Sequence, residues 1–449
     1  MSTLQTRELL KEQELEDIPT ILESVVDLDE VLPKRRNTAW KGIILLYFLL
    51  ISIAIFYYKI AYFDMSFRSA LFAAYGITVT VYLMSRFVIV LFYRPTGDQG
   101  YRPTVSIIIP AMNEEEVIQR TLLAAVSVDY PKSKLEVIVV DDGSTDSTWA
   151  RIEDFCQVYP EAKPIRLPNN RGKREAMAVG IEHSSGEILV FIDSDSIVEP
   201  KSFHFILQDF ADPEVAAVAG HADVYNATQN ALTKMQAIRY FSSFQLMKAC
   251  ESVFDSVTCC SGCFSAYRRA YLLEVLDEWR HQTFLGVNCT YGDDRSLTNK
   301  LLRNYKVRYN SLARAYTIVP ENYRQFFKQQ LRWKKSWTRE SLIAIRIFWR
   351  KHPVFAASAY LATILPLVSP LLVVRSFLFL PAAGILPWFY VLGIYAMALL
   401  FGLFYCFRTP QRPELWVYGV MFSFLYFILV WQTYYAIATL KNSKWGTRG

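Results

Sequence analysis

Long uncharged apolar runs constrain this chain more than any other feature. Residues 42–58 carry no charge, residues 69–93 contain only Arg86, and residues 353–374 and 387–407 are similarly apolar. About 20 apolar residues are needed to cross the hydrocarbon core as a helix, so these runs read as two pairs of membrane helices. Lys34, Arg35 and Arg36 stand before the first run, and basic flanks favour the cytosolic side. The expectation is a multi-pass plasma-membrane protein with both termini, and the long segment between the pairs, in the cytosol. A fifth run, 415–440, has Arg408 and Arg412 before it and Lys441 and Lys444 after it. Both of its ends then belong to the cytosol, which predicts an interfacial or re-entrant helix.

Composition agrees with a part-soluble, part-membrane chain. Hydrophobic residues make up 52% of it, and the formal charge of +6 comes with Lys and Arg gathered beside the apolar runs. That placement suits a lipid bilayer as partner and gives no nucleic-acid footprint. The seven cysteines form no even framework. Cys259-Cys260-Ser261-Gly262-Cys263 has no second Cys/His pair at zinc-ligand spacing, so small loop residues are the expectation there.

The chain divides into an acidic arm (1–36), a first membrane pair (37–94), a domain of strands and helices (95–320), a basic aromatic helix (321–352), a second membrane pair (353–408) and a final segment (409–449). In the domain, strand patterns at 105–110, 136–140 and 188–192 alternate with helix patterns at 114–126, 147–159 and 172–184. Uninterrupted apolar strands in a βαβ rhythm predict an α/β fold with a parallel sheet covered on both faces. Segments 234–254 and 323–349 mix aromatics with Lys and Arg, as amphipathic helices at a membrane interface do, although ordinary domain helices share that composition.

The polar residues at the strand ends converge, because open α/β sheets bind ligands beyond the carboxyl ends of their strands. The first strand delivers Asn113-Glu114-Glu115, the second Asp141 and Asp142, the third Asp193-Ser194-Asp195. The first two suit hydrogen bonding to a base and ribose. The third suits a divalent metal on a pyrophosphate. An isolated Asp-Gly-Ser is an everyday turn, but three acidic strand ends in order favour a site. Asn169-Asn170-Arg171-Gly172-Lys173-Arg174 opens a helix where free N–H groups and cations can meet phosphate; a solvated basic turn is the alternative. Gly292-Asp293-Asp294 precedes a helix predicted at 296–302, and supplies either a helix cap or a base that takes a proton from an attacking hydroxyl. Gln329, Arg332 and Trp333 fall on one helical face, an indole platform beside a guanidinium.

With these motifs in order, the chain resembles the processive family 2 glycosyltransferases, and within them the class I hyaluronan synthases, with chitin synthases close by. The grounds are the 170–175, 289–299 and 329–336 segments and the terminal Trp445-Gly446-Thr447-Arg448-Gly449. The resemblance runs from residue 40 onward. It implies a glycosyltransferase-A type cytosolic domain set between membrane helices, using UDP-GlcNAc and UDP-GlcA with Mn²⁺ or Mg²⁺ to extend and export a polysaccharide. By the same resemblance Asp142 contacts uridine, Lys173 and Arg174 help to bind the donor, and Asp193 and Asp195 hold the metal. Asp294, with Asp293, would be the base, while Gln329, Arg332 and Trp333 would serve the diphosphate and the acceptor. Trp445 and Arg448 would belong to a loop closing over the nucleotide. Gly262 and Cys263 would shape the acceptor pocket, and Cys263 departs from the family's usual proline. A chitin-type synthase using one donor and an inactive export scaffold are the rival readings, and oligomeric state stays open.

Overall fold

The computed structural model describes residues 67–409 and 413–442, with helical positions at 42, 46–47, 49–55 and 57. The acidic arm and the Trp445 to Arg448 tail lie outside the described residues. The ten strands are β1 Val105–Ala111, β2 Leu135–Asp141, β3 Ala162–Arg166, β4 Ile188–Phe191, β5 Ser196–Val198, β6 Val215–Val224, β7 Ser265–Arg268, the short pair β8 Thr283–Phe284 and β9 Val287–Asn288, and β10 Lys306–Thr317. Eight of them form one sheet in the order β3-β2-β1-β4-β7-β6-β10-β5.

The half of the sheet built from β3, β2, β1 and β4 is parallel, as the apolar runs predict. Every residue of β1 is buried. Alternation splits its isoleucines between two cores: Ile107 and Ile109 face Ile118, Leu122 and Ile152, while Ile108 faces Met177 and Ile181. Fully burying one such side chain stabilises the fold by about 1.5–3 kcal/mol. The crossover helices between the parallel strands are α2 Ile118–Val126, α3 Thr148–Val158 and α4 Lys173–Glu182; α1 Phe67–Ile89 precedes β1 and α5 Ala231–Phe241 follows β6.

The other half departs from the expectation of a parallel sheet throughout. β7 runs antiparallel to both β4 and β6, and β5 antiparallel to β10, so the sheet is mixed. β7 is only Ser265–Arg268 and carries the chain directly into α6 Arg269–Arg280. Four residues are too few to give a periodicity by which to read direction.

Four helices are long and apolar enough to span a membrane among the described residues: 71–92, 353–382, 390–408 and 416–438. The last covers the run expected to be interfacial. By length and composition it qualifies as a crossing, although the chain breaks at Trp431 between the two helices Trp416–Val430 and Gln432–Ala438. One sheet-face core continues into these helices, with Phe87 packing edge-on against Phe401 and Phe404 at centroid distances of 5.2 and 5.5 Å. Tyr93 anchors the junction by donating its hydroxyl to the Tyr309 carbonyl at 2.9 Å.

Candidate active site

The donor-side residues hang from strand ends fixed by backbone bonds. Beyond β4 the Ile192 N–H donates to the Ile108 carbonyl at 3.2 Å, and the Thr121 hydroxyl donates to the Ser194 carbonyl at 2.8 Å. These bonds aim the Asp193-Ser194-Asp195 loop. Asp193, partly exposed, forms an ion pair with Lys173, the first residue of α4. A Cβ on Gly262 would lie 2.6 Å from Asp193 Oδ1, so the bare glycine leaves room for the carboxylate in its present position.

Asp142 is buried beyond β2 and accepts the backbone N–H groups of Arg171 at 2.8 Å and Gly172 at 2.9 Å. Burial pushes its carboxyl above the usual range, and those two N–H groups oppose the shift. Asn113 adopts φ 52° and accepts the Thr145 N–H at 2.9 Å, tying the end of β1 to that of β2. Asn113 and Asp142 thus sit together, one and two strands away from Asp193.

A cavity of about 430 Å³ opens between the carboxyl ends of these strands and the helices. Lys173, Asp193, Asp294, Arg332 and Trp333 line it, with Gly262 and Cys263 in its wall. The strand ends and the amphipathic helix, distant in sequence, therefore meet. The helix α7 Asp293–Leu302 starts three residues earlier than the sequence pattern implies, placing both aspartates in its first turn. They differ in setting. Asp293 is buried, takes the Arg174 Nε–H at 2.7 Å, and its carbonyl accepts the Trp279 indole N–H at 3.0 Å. Asp294 is half-buried on the cavity, with its carbonyl held by the Thr298 hydroxyl at 2.7 Å.

Arg174, expected beside the donor, is instead buried behind α7, bonded to Asp293 and to the Trp279 carbonyl at 2.9 Å. Gln329, expected in the site, is not among the cavity-lining residues; its neighbour Gln330 is. Both lie in α8 Tyr323–Phe348, where Asn322 caps the helix by accepting the Gln325 N–H at 2.9 Å. A Cβ on Gly292, at φ 76°, would fall 2.0 Å from Ser336 Oγ, so this glycine is what allows α8 to close on the aspartate turn. Arg339 of α8 completes the clasp by donating to the Tyr291 carbonyl.

Sequence reading missed a basic wall. Arg239, from the helix Ala231–Phe241, donates to Gln330 and lies over the Trp333 ring at 5.2 Å. Lys334 donates to the Leu429 carbonyl and to Thr433 Oγ1 at 3.2 Å, where the last membrane helix breaks. Burial draws Arg239 down to about 10; burial, with Arg239 nearby, draws Lys334 down to about 8. Lys248 sits in a π-helical stretch, Ser242–Lys248, and holds the Cys259 carbonyl. A π turn often marks a functional site, but its sequence carries no signal.

No group of three or more His, Cys, Asp or Glu side chains is arranged to hold a metal among the described residues. The donor chemistry of Asp193 and Asp195 still fits Mg²⁺ or Mn²⁺, which are typically held by one or two carboxylates plus substrate phosphates. Asp193 already faces a cation, the Lys173 ammonium.

Residues 106–276 match the model of Glycosyl transferase family 2. The fold is similar to that of a mannosyltransferase from Pyrobaculum calidifontis solved with GDP-Man and Mn²⁺, with TM-score 0.57 and 21% identity over 89% of this chain and 100% of that one. The chain belongs to the family 2 glycosyltransferases. It is 31% identical over 384 residues to a hyaluronan synthase of Streptococcus pyogenes, covering 83% of this chain and 90% of that protein. It is also 31% identical over 392 residues to an N-acetylglucosaminyltransferase of Rhizobium meliloti, covering 85% and 91%.

Proposed function

We propose that the chain is a processive membrane synthase that polymerises hyaluronan from UDP-GlcNAc and UDP-GlcA by inverting transfer and passes the product through its own helices. The observation that carries this reading is that Asp193, Asp294 and Trp333 line one cavity between the α/β domain and the helices. In the reaction, Asp294 takes the proton of the acceptor hydroxyl as its oxygen bonds to the anomeric carbon and the bond to UDP breaks. Lys173 and Arg332 hold the leaving diphosphate, and Trp333 offers a ring face to the acceptor sugar. Asp142, with Asn113, receives the uridine. Asp193 and Asp195 would hold Mn²⁺ or Mg²⁺, which when bound supplies positive charge to the pyrophosphate. The catalytic domain faces the cytosol, where nucleotide sugars are found.

A chitin-type synthase would share each of these residues and use one donor. The basic wall favours an anionic product. Six cations line the cavity (Lys173, Arg239, Lys248, Arg295, Arg332, Lys334) against three carboxylates (Asp193, Asp293, Asp294). The test is to supply purified protein and Mn²⁺ with each UDP-sugar alone and in pairs, then digest the product with a hyaluronan-specific lyase. Lyase-sensitive polymer from UDP-GlcNAc and UDP-GlcA together is expected; polymer from UDP-GlcNAc alone would transfer the assignment to chitin.

A further inference from the structure

The two carboxylate oxygens of Asp294 are held differently. Oδ1 accepts the Arg295 N–H at 2.7 Å, within the same helical turn. Oδ2 lies 3.5 Å from the Cys259 thiol, which reaches it from a separate loop on the cavity wall. That loop is pinned on either side of Cys259. Glu251 accepts the Thr258 N–H at 2.9 Å and its hydroxyl at 3.0 Å, and Lys248 binds the Cys259 carbonyl. Behind it the Cys260 N–H donates at 2.9 Å to the Thr298 hydroxyl, the group that itself donates to the Asp294 carbonyl. The thiol and the carboxylate are therefore mounted on one shared anchor.

We propose that Cys259 is a positioning residue for Asp294: its S–H fixes the direction of the Oδ2 lone pairs while withdrawing little of the carboxylate's basicity. The inference rests on the reading of Asp294 as the base. A thiol is a weak donor. A hydroxyl in its place would bind the carboxylate more strongly and lower its affinity for a proton. Burial, then the neighbouring Asp294 carboxylate, pushes the Cys259 thiol up to about 11, so it keeps its proton at neutral pH. The other charged groups around the same cavity remain in place in any Cys259 variant. They are Lys173 from α4, Asp193 from the strand-end loop, Arg239 from the helix Ala231–Phe241, Lys248 from the π turn, Arg295 and Asp293 from α7, and Arg332 and Lys334 from α8.

The experiment compares kcat, its pH profile and Mn²⁺-dependent UDP affinity for Cys259→Ala, Cys259→Ser and Asp294→Asn in the full-length protein. Cys259→Ala is expected to lower kcat about three- to tenfold with UDP affinity unchanged, the scale of one modest hydrogen bond. Cys259→Ser is expected to recover most of kcat and move the acidic limb to lower pH. An unchanged kcat and acidic limb in Cys259→Ala, or a Cys259→Ser no better than Cys259→Ala, would overturn the positioning role. Substantial activity in Asp294→Asn would instead overturn the base assignment, so the two failures are separable. Unchanged UDP affinity also shows that the variants are folded.

Discussion

The donor side and the acceptor side of this cavity are built by different means. Asp142 and Asp193 follow parallel strands whose residues pair in strict register, as Ile107 does with Val137 and with Val190. Backbone geometry places them. Asp294, Arg332 and Trp333 are placed by helices that touch through side chains: Ser336 against Gly292, Arg339 on the Tyr291 carbonyl, Arg174 on Asp293. A strand-end carboxylate takes its position from its own sheet and is then held by neighbours such as the Arg171 and Gly172 N–H groups or Lys173, whereas an acceptor-side residue is positioned by contacts between helices from distant segments. On the proposed reading, the donor side receives the nucleotide sugar and the acceptor side receives the growing chain.

The comparison breaks first at the metal loop. If Asp195 holds the metal as proposed, Asp195→Asn removes one ligand charge and is expected to cost at least about 10²-fold in turnover, together with Mn²⁺-dependent UDP binding. Calorimetry showing wild-type Mn²⁺-dependent UDP affinity in that variant would remove Asp195 from the metal role and leave the donor side defined by Asp142 and Lys173.

A smaller effect sharpens the acceptor side. Lys334, drawn down to about 8, is charged below that pH and neutral above it. If its charge serves an anionic chain, wild-type polymer synthesis falls several-fold as pH rises from about 7 to 9. Lys334→Arg should abolish that decline and Lys334→Met should be slow throughout. A Lys334→Met variant with the wild-type pH profile would reduce the residue to a helix-break contact with Leu429 and Thr433.

The same division explains what was legible in the sequence. The strands Val105–Ala111, Leu135–Asp141 and Ile188–Phe191 fall within a residue or two of their apolar patterns, because a buried parallel strand leaves a local signature. Asp193, Asp294 and Trp333 could be singled out through motif order. The direction of β7, the inward turn of Arg174 and the choice of Gln330 over Gln329 could not. Each is set by partners far along the chain: Val190 and Val218 for Ala266 of β7, Asp293 for Arg174, Arg239 for Gln330. Arg239 and Lys334 went unnoticed for the same reason, since basic residues on amphipathic helices ordinarily face water or headgroups. The expected loop of Trp445 and Arg448 lies outside the described residues and remains a proposal from resemblance.

The central claim is that donor binding and proton acceptance are separate parts meeting at one cavity. Asp294→Asn tests it most directly, with Mn²⁺-dependent UDP affinity measured by calorimetry beside the rate of sugar transfer. The variant keeps size and most hydrogen bonding but loses the proton acceptor. Wild-type UDP affinity with transfer reduced about 10²–10⁴-fold is the predicted result. Transfer above about a tenth of the wild-type rate, below the contribution of a positioned general base, would contradict it.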